Sequence, residues 1–391
     1  MKALRKVAAL AALLVAGSFV WAQDSAAYSP EEFKKLQDEY TSIRDSKSLD
    51  YVASIAGMLK FSRENPNFIS AHVDLAIFNF RTDITKDAAI MEYGRAMSVL
   101  GKTPDSPEGK LAKAKFYQLS AELLLAIVKD EAAAEREANK CIEYDDGVGT
   151  ELSYELAKHY MATDNNSRAF VWYQKALKLD KDLERMKTKD VQDIASAYNK
   201  IGKRKELNAL FERILNQKKG VYYPTFGAAA ASSYEKCKQK PKAVFVAILD
   251  QEYTDTYKES SPEEMLSILE KSFKKDKDCA PCIDFVRKFY DKDAALEQAD
   301  LDSLPEDVRG FLTVRYMYKM KNSNDIAALR EEFESFFKPI GNFYIRLYEK
   351  AEKNGDKAAQ KELAEILLSP ACNSKGLNRF AAKMTAKTKN Q

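Results

Sequence analysis

Residues 151–180 read ELSYELAKHYMATDNNSRAFVWYQKALKLD, and this stretch decides the fold. From Leu156 and Ala157 to Tyr160, and from Ala169 through Tyr173 to Ala176, the steps are three or four residues. That spacing stacks side chains on one face of a helix. Between the halves lies Asp164-Asn165-Asn166-Ser167, turn formers that stop one helix and cap the next. Ala157 and Ala169 leave room for two helices to approach closely, while Tyr160 and Tyr173 fill the space beside them. The stretch therefore predicts a helix, a tight turn and a second helix.

The pattern recurs in phase. Ile194-Ala195, Tyr198, Leu207, Phe211 and Ile214 repeat the order of small, aromatic and branched residues, with Tyr198 standing 38 positions after Tyr160. Ala230-Ala231, Tyr234, Ala243 and Ala247 follow, with Tyr234 another 36 positions along. Upstream, Ala76, Phe80, Ala89, Tyr93 and Ala96 carry the same signature, and Ala134, Ala138 and Cys141 mark the second helix of a blurred copy. This series resembles the tetratricopeptide repeat, a helical pair of about 34 residues that stacks into a solenoid. The early tryptophan of that family is missing, and its closing proline is mostly absent.

The resemblance implies an all-α solenoid of antiparallel helix pairs, with degenerate repeats in the C-terminal half. It covers residues 67–250, preceded by an N-terminal helical cap at 23–66 and followed by irregular helical repeats at 251–391. QEYTDTYKESS is the candidate break between the halves. Such solenoids bind partners on a concave face built from the first helix of each pair. Carried onto this sequence, that role falls to Asp74, Phe78 and Arg81 in one unit, and to Tyr154, Lys158 and Met161 in the best unit. Gln192, Ser196 and Asn199 follow, then Ala228, Ser232 and Glu235. From Tyr154 to Glu235 they form a mixed amide, hydroxyl and charged strip suited to holding an extended peptide.

The N-terminus reads as a targeting segment. Lys2, Arg5 and Lys6 precede the apolar run VAALAALLVAGSFV, and Val20-Trp21-Ala22 offers a cut after Ala22. The run falls short of the roughly 20 residues that a membrane span needs. The mature chain is therefore expected to be periplasmic or secreted, with no stable membrane insertion. Three of the 62 Lys+Arg lie in that segment and none of the 59 Asp+Glu does, so the mature chain balances at 59 against 59. A basic nucleic-acid surface is not expected.

Glycine and proline are scarce, at 14 and 11 in 391 residues, which suits long helices and short turns. Ser29-Pro30-Glu31-Glu32 and Ser261-Pro262-Glu263-Glu264 combine an N-cap, a first-turn proline and a capping-box glutamate. Beyond the break, helices are expected at Pro262–Lys274, Cys282–Tyr290, Pro305–Lys321, Asp325–Phe336, Asn342–Lys353 and Lys357–Leu368, with a short one near Leu377–Met384.

Chemistry has few places to reside. The two histidines, His72 and His159, have no ligand-type neighbour at metal-binding spacing, and no metal or other cofactor is expected. Gly147-Val148-Gly149 reads as a linker, while DDGVGTE and YDKDAALEQADLD read as turns and solvated faces. Cys279-Ala280-Pro281-Cys282 is the one sharp motif, since a helix start can lower a thiol pKa. It is read as Pro281 opening a helix, with the two cysteines either closing a small structural disulfide or staying reduced; Cys141, Cys237 and Cys372 complete an odd total of five.

The expected function is an exported interaction scaffold for a protein or peptide, such as an envelope or transporter component, without catalysis. Two alternatives stay open: a thiol–disulfide oxidoreductase or redox sensor using Cys279 and Cys282, and a carrier of a small ligand or lipid in a cavity between helices.

Overall fold

The computed structural model describes residues 27–45, 51–82, 86–216, 226–253, 262–273, 275–291, 293–323, 348–349, 351–358, 360–361 and 364. The targeting segment, Cys372 and the helices expected at Asp325–Phe336 and Leu377–Met384 lie outside them. Among the described residues the fold is all-α, with no strand, and successive helices pack in neighbouring pairs as in a solenoid. Two compact units divide the chain: Met1–Leu156 with Trp172–Leu179, and Ala157–Val171 with Asp180–Gln391.

The first unit holds α1 (Pro30–Arg44), α2 (Tyr51–Glu64), α3 (Ile69–Arg81), α4 (Lys86–Val99), α5 (Pro107–Leu123) and α6 (Glu131–Tyr144), then the start of α7 (Asp146–Ala162). The capping box that opens α1 is in place. The Glu32 N–H donates to Ser29 Oγ at 3.2 Å, and the Ser29 N–H donates to the Glu32 carboxylate at 2.8 Å. Phe68 anchors the core, with its ring 5.1 Å from Phe33, 5.6 Å from Tyr40 and 5.5 Å from Phe61. Lys113 lies over the Tyr144 ring and Lys140 over the Tyr117 ring, so α5 and α6 run antiparallel.

Helix α5 ends in a π turn at Leu124–Val128, followed by Lys129 in the left-handed region (φ 64°). That turn leads directly into the blurred copy around Ala134. Ala134, Ala138 and Cys141 are nonetheless buried, as their spacing required. Gly147-Val148-Gly149 is not a linker. It forms the first turn of α7, capped by Asp145, whose carboxylate accepts the Val148 N–H at 2.8 Å. A Cβ on Gly149 would sit 2.8 Å from the Ile142 Cα, so glycine is what lets α7 approach α6.

The second unit contains the end of α7, the start of α8 (Asn166–Leu179), α9 (Thr188–Lys200), α10 (Arg204–Asn216), α11 (Phe226–Lys236), α12 (Lys240–Tyr253), α13 (Pro262–Phe273), α14 (Ala280–Tyr290), α15 (Gln298–Asp302), α16 (Glu306–Arg309) and α17 (Leu312–Asn322). One turn is reused along it. Asp164, Gly202, Lys238 and Gly355 all take positive φ, from 57° to 76°. In each case the next N–H returns to a carbonyl five residues back: Asn165 to Tyr160, Lys203 to Tyr198, Gln239 to Tyr234 and Asp356 to Ala351, at 2.8–2.9 Å. Each acceptor chain then restarts, because the carbonyl of Asn165, Lys203, Gln239 and Asp356 receives the N–H four residues ahead. A left-handed residue that closes one helix and caps the next is what a tight helical hairpin needs.

The steps of 38 and 36 residues between the first three of these turns match the sequence period. The longer step contains the loop after α8, where Leu183 (φ 53°) and Met186 are buried and Arg213 donates to the carbonyls of Asp180 and Lys181.

Two expectations beyond residue 291 are corrected. Pro305–Lys321 is not one helix: it breaks at Gly310, and Phe311 is extended and buried as the N-cap of α17. Burying the Phe311 ring outweighs continuing the helix. The acidic run after Tyr290 holds the short helix α15, whose Asp300 carboxylate accepts the Glu297 N–H at 2.9 Å.

Candidate functional site

In the second unit α9 and α11 are the first helices of their pairs, and they pack against each other as well as against α10. On α9, Val191, Ile194, Ala197 and Tyr198 are buried, while Gln192 and Ser196 are exposed and Asn199 is half-buried. On α11, Ala230, Ser233 and Tyr234 are buried, while Ser232 and Glu235 are exposed. Two polar stripes at helical spacing thus stand on adjacent helices. The Ala228 side chain lies outside the described residues.

The opposite side is covered. Helix α17 packs on α10, α12 and α14, the second helices of three successive pairs. Its Val314, Tyr316 and Met317 are buried, and Phe311 just before it lies edge-on to Tyr234 at 6.3 Å. Lys242 pins this layer, reaching Glu212 at 2.8 Å and Asp307 at 3.7 Å while lying 5.9 Å from the rings of both Tyr234 and Phe311.

The other residues assigned to the groove are built into the fold. Lys158 pairs at 3.1 Å with the buried Asp190, whose second carboxylate oxygen accepts the Lys187 N–H at 2.6 Å at the start of α9. Met161 is half-buried. In the first unit, Asp74 accepts from Tyr40 at 3.1 Å and from Arg44 at 3.2 Å, so its carboxylate is already engaged with α1. Phe78 is half-buried and Arg81 is exposed. Burial pushes the nearby Glu122 carboxyl above its ordinary value, and the positive charge of Arg81 opposes that shift. Tyr154 belongs to the core and not to a surface strip: it is 3% exposed, its ring 6.3 Å from Tyr173.

His72, Cys279 and Cys282 are all buried. His72 is buried and has Glu92, 20 residues away, against Nδ1 at 2.7 Å; Ser62 lies against the same nitrogen at 3.4 Å. A Ser–His–acid triad needs the serine and the acid on opposite ring nitrogens. Here Nε2 faces the Pro66 carbonyl at 2.9 Å. Arg95, itself exposed, donates to the other Glu92 oxygen at 2.5 Å and extends to the surface a polar network that local spacing did not signal.

Cys279 and Cys282 carry free thiols, with no bond between them, and both are fully buried. Burial, reinforced by Asp276 and Asp278, pushes Cys279 up to about 11 despite its place at a helix start. Burial pushes Cys282 up to about 12. Desolvation by burial thus outweighs the helix dipole in setting the direction of both shifts.

No protein-family model matches the chain, and no curated protein matches it. Among the described residues no three His, Cys, Asp or Glu side chains gather as a metal site would require, and no helix is long and apolar enough to cross a membrane.

Proposed function

We propose that this chain is an exported scaffold of tetratricopeptide-like repeats that holds an extended segment of a protein partner on α9 and α11. The carrying observation is the asymmetry of the second unit. Helix α17 occupies the side made by the second helices, while Gln192, Ser196, Ser232 and Glu235 stand exposed on the first helices. Amides, hydroxyls and a carboxylate at one-turn spacing suit the backbone groups of an extended peptide. Rigid hairpin turns hold the stripes in place before any partner arrives, which lowers the ordering cost of binding. The basic and apolar start of the sequence supports export, and an envelope or transporter component is the class of partner that this compartment offers.

A photo-reactive residue placed at Ser196 or Ser232 in the native organism tests this reading. Both positions should capture the same protein, and the exposed Ala209 of α10 should not. Equal capture at Ala209, or none at either serine, would refute it.

A further inference from the structure

Cys279 and Cys282 are chemistry that the scaffold reading leaves unused. Cys279 caps α14 with helical dihedrals (φ −90°, ψ −17°), and Cys282 lies in the first turn, after Pro281. Residues three apart in helical backbone have Cα atoms about 5 Å apart. A disulfide accepts about 4.4–6.8 Å. The Cα spacing therefore admits a bridge, which closes once the two Cβ atoms draw together from the roughly 5–6 Å of a regular helical turn. Neither side chain is exposed, and the polar neighbour of the Cys282 sulfur is the Asp278 carbonyl at 4.0 Å.

We propose that Cys279 and Cys282 are an oxidisable pair that forms a disulfide across the first turn of α14, and that the pair exchanges only when this turn opens. The oxidant is an external disulfide. One cysteine, as thiolate, attacks a sulfur of that disulfide; a mixed disulfide forms and the first external thiolate leaves. The second cysteine, deprotonated, then attacks the sulfur of the first and displaces the second external thiolate. The two cysteine protons end on the released thiols, so one external disulfide is reduced as one internal disulfide forms.

Burial dictates the gating. An external disulfide cannot reach a sulfur with no exposed surface, and the raised thiol pKa values keep thiolate scarce while the turn is closed. Local opening is therefore the required first step. The bridge would matter mechanically because this turn is a junction. Asp276, three residues before Cys279, is tied to Lys240 at the start of α12 at 2.8 Å, and Phe285 of α14 packs 6.0 Å from Phe245 of α12.

The full-length chain is exposed to glutathione disulfide in native buffer and in denaturant, alkylated with N-ethylmaleimide and digested with trypsin. Lys277 and Arg287 bracket both cysteines in one peptide, 278–287. The expected result is that this peptide loses two hydrogen masses and gains no adduct, about tenfold or more slowly in native buffer than in denaturant. In Cys282→Ser the same treatment should leave one glutathione on Cys279. A wild-type peptide carrying two maleimides or two glutathiones after the denatured arm would overturn the bridge. Equal rates in the two arms would overturn the gating.

Discussion

Tyr40 donates its hydroxyl to the Asp74 carboxylate at 3.1 Å, and the two residues stand 34 positions apart. One helical pair separates them, so the bond ties equivalent helices of successive pairs. Gln37 and Ser70 make a second such tie at 2.7 Å, 33 positions apart. Later in the chain Trp172 reaches Glu135 across 37 positions and Lys200 reaches Asp164 across 36. The repeat period is therefore written into contacts as well as into residue types.

Asp74→Ala should cost more than Tyr40→Phe. Removing the carboxylate leaves the buried Tyr40 hydroxyl with only the weak acceptor Met58 Sδ at 3.3 Å and leaves Arg44 to Asp45 alone, about 2 kcal/mol, whereas removing the hydroxyl leaves Asp74 paired with Arg44, about 1 kcal/mol. Urea denaturation of the two variants and the double variant measures this. The reverse order would show that the tie is not what holds α1.

Stability should fall in acid through Glu92. Burial alone would raise this carboxyl, but the hydrogen bond and charge of His72, with Arg95, hold it below its ordinary value of 4.5. A depressed folded value stabilises above the unfolded one, so the contribution is present above pH 4.5 and lost as pH falls below it. Glu92→Gln should be destabilised at neutral pH and converge on wild type in acid. Denaturant midpoints taken across that range check it, and a constant gap between the proteins would contradict it.

Ala157→Leu and Ala169→Leu should each destabilise by about 1–3 kcal/mol, because both sites are fully buried and the added isopropyl group must displace a packed neighbour. By contrast Ser196→Leu, on the exposed face of α9, should change stability by no more than about 0.5 kcal/mol. Thermal melts followed by circular dichroism distinguish these outcomes. A neutral Ala169→Leu would mean that the second helix has slack where close approach is required.

Docking of α17 should depend on Phe311 more than on Lys242. Phe311→Ala empties a buried site and should cost about 3–5 kcal/mol. Lys242→Met keeps the stem and forfeits partly solvated pairs with Glu212 and Asp307, about 1 kcal/mol. Hydrogen exchange in Leu312–Asn322 should rise strongly in the first variant and little in the second, with α9 unaffected in both. Equal protection in both variants would show that Phe311 does not anchor the helix.

Much of the architecture was legible because the interactions that specify it are local. Tyr160, Tyr198 and Tyr234 recur at the repeat period, and the residues that close and restart the helices sit four and five positions beyond each of them. The candidate surface was legible in part. Gln192, Ser196, Ser232 and Glu235, assigned to the concave face by the resemblance, are exposed, whereas Tyr154, assigned by the same rule, is buried. Tyr154 is one helical step from Lys158, and spacing cannot tell which of two adjacent stripes another helix will cover. Asp74 was misread for a related reason, since its partners Tyr40 and Arg44 lie a whole repeat upstream.

By itself the amino-acid sequence determined most helices of the repeats, their hairpin turns and the period, because the helices and turns follow from side chains within about five residues of one another and the period from their recurrence. Only the tertiary structure decided which polar groups were consumed. His72 meets Glu92, Lys158 meets Asp190, Lys242 meets Glu212, and α17 covers one side of its unit while α9 and α11 keep an exposed face. Those choices depend on contacts between residues tens of positions apart, whose energies are set by burial and geometry that no local pattern contains.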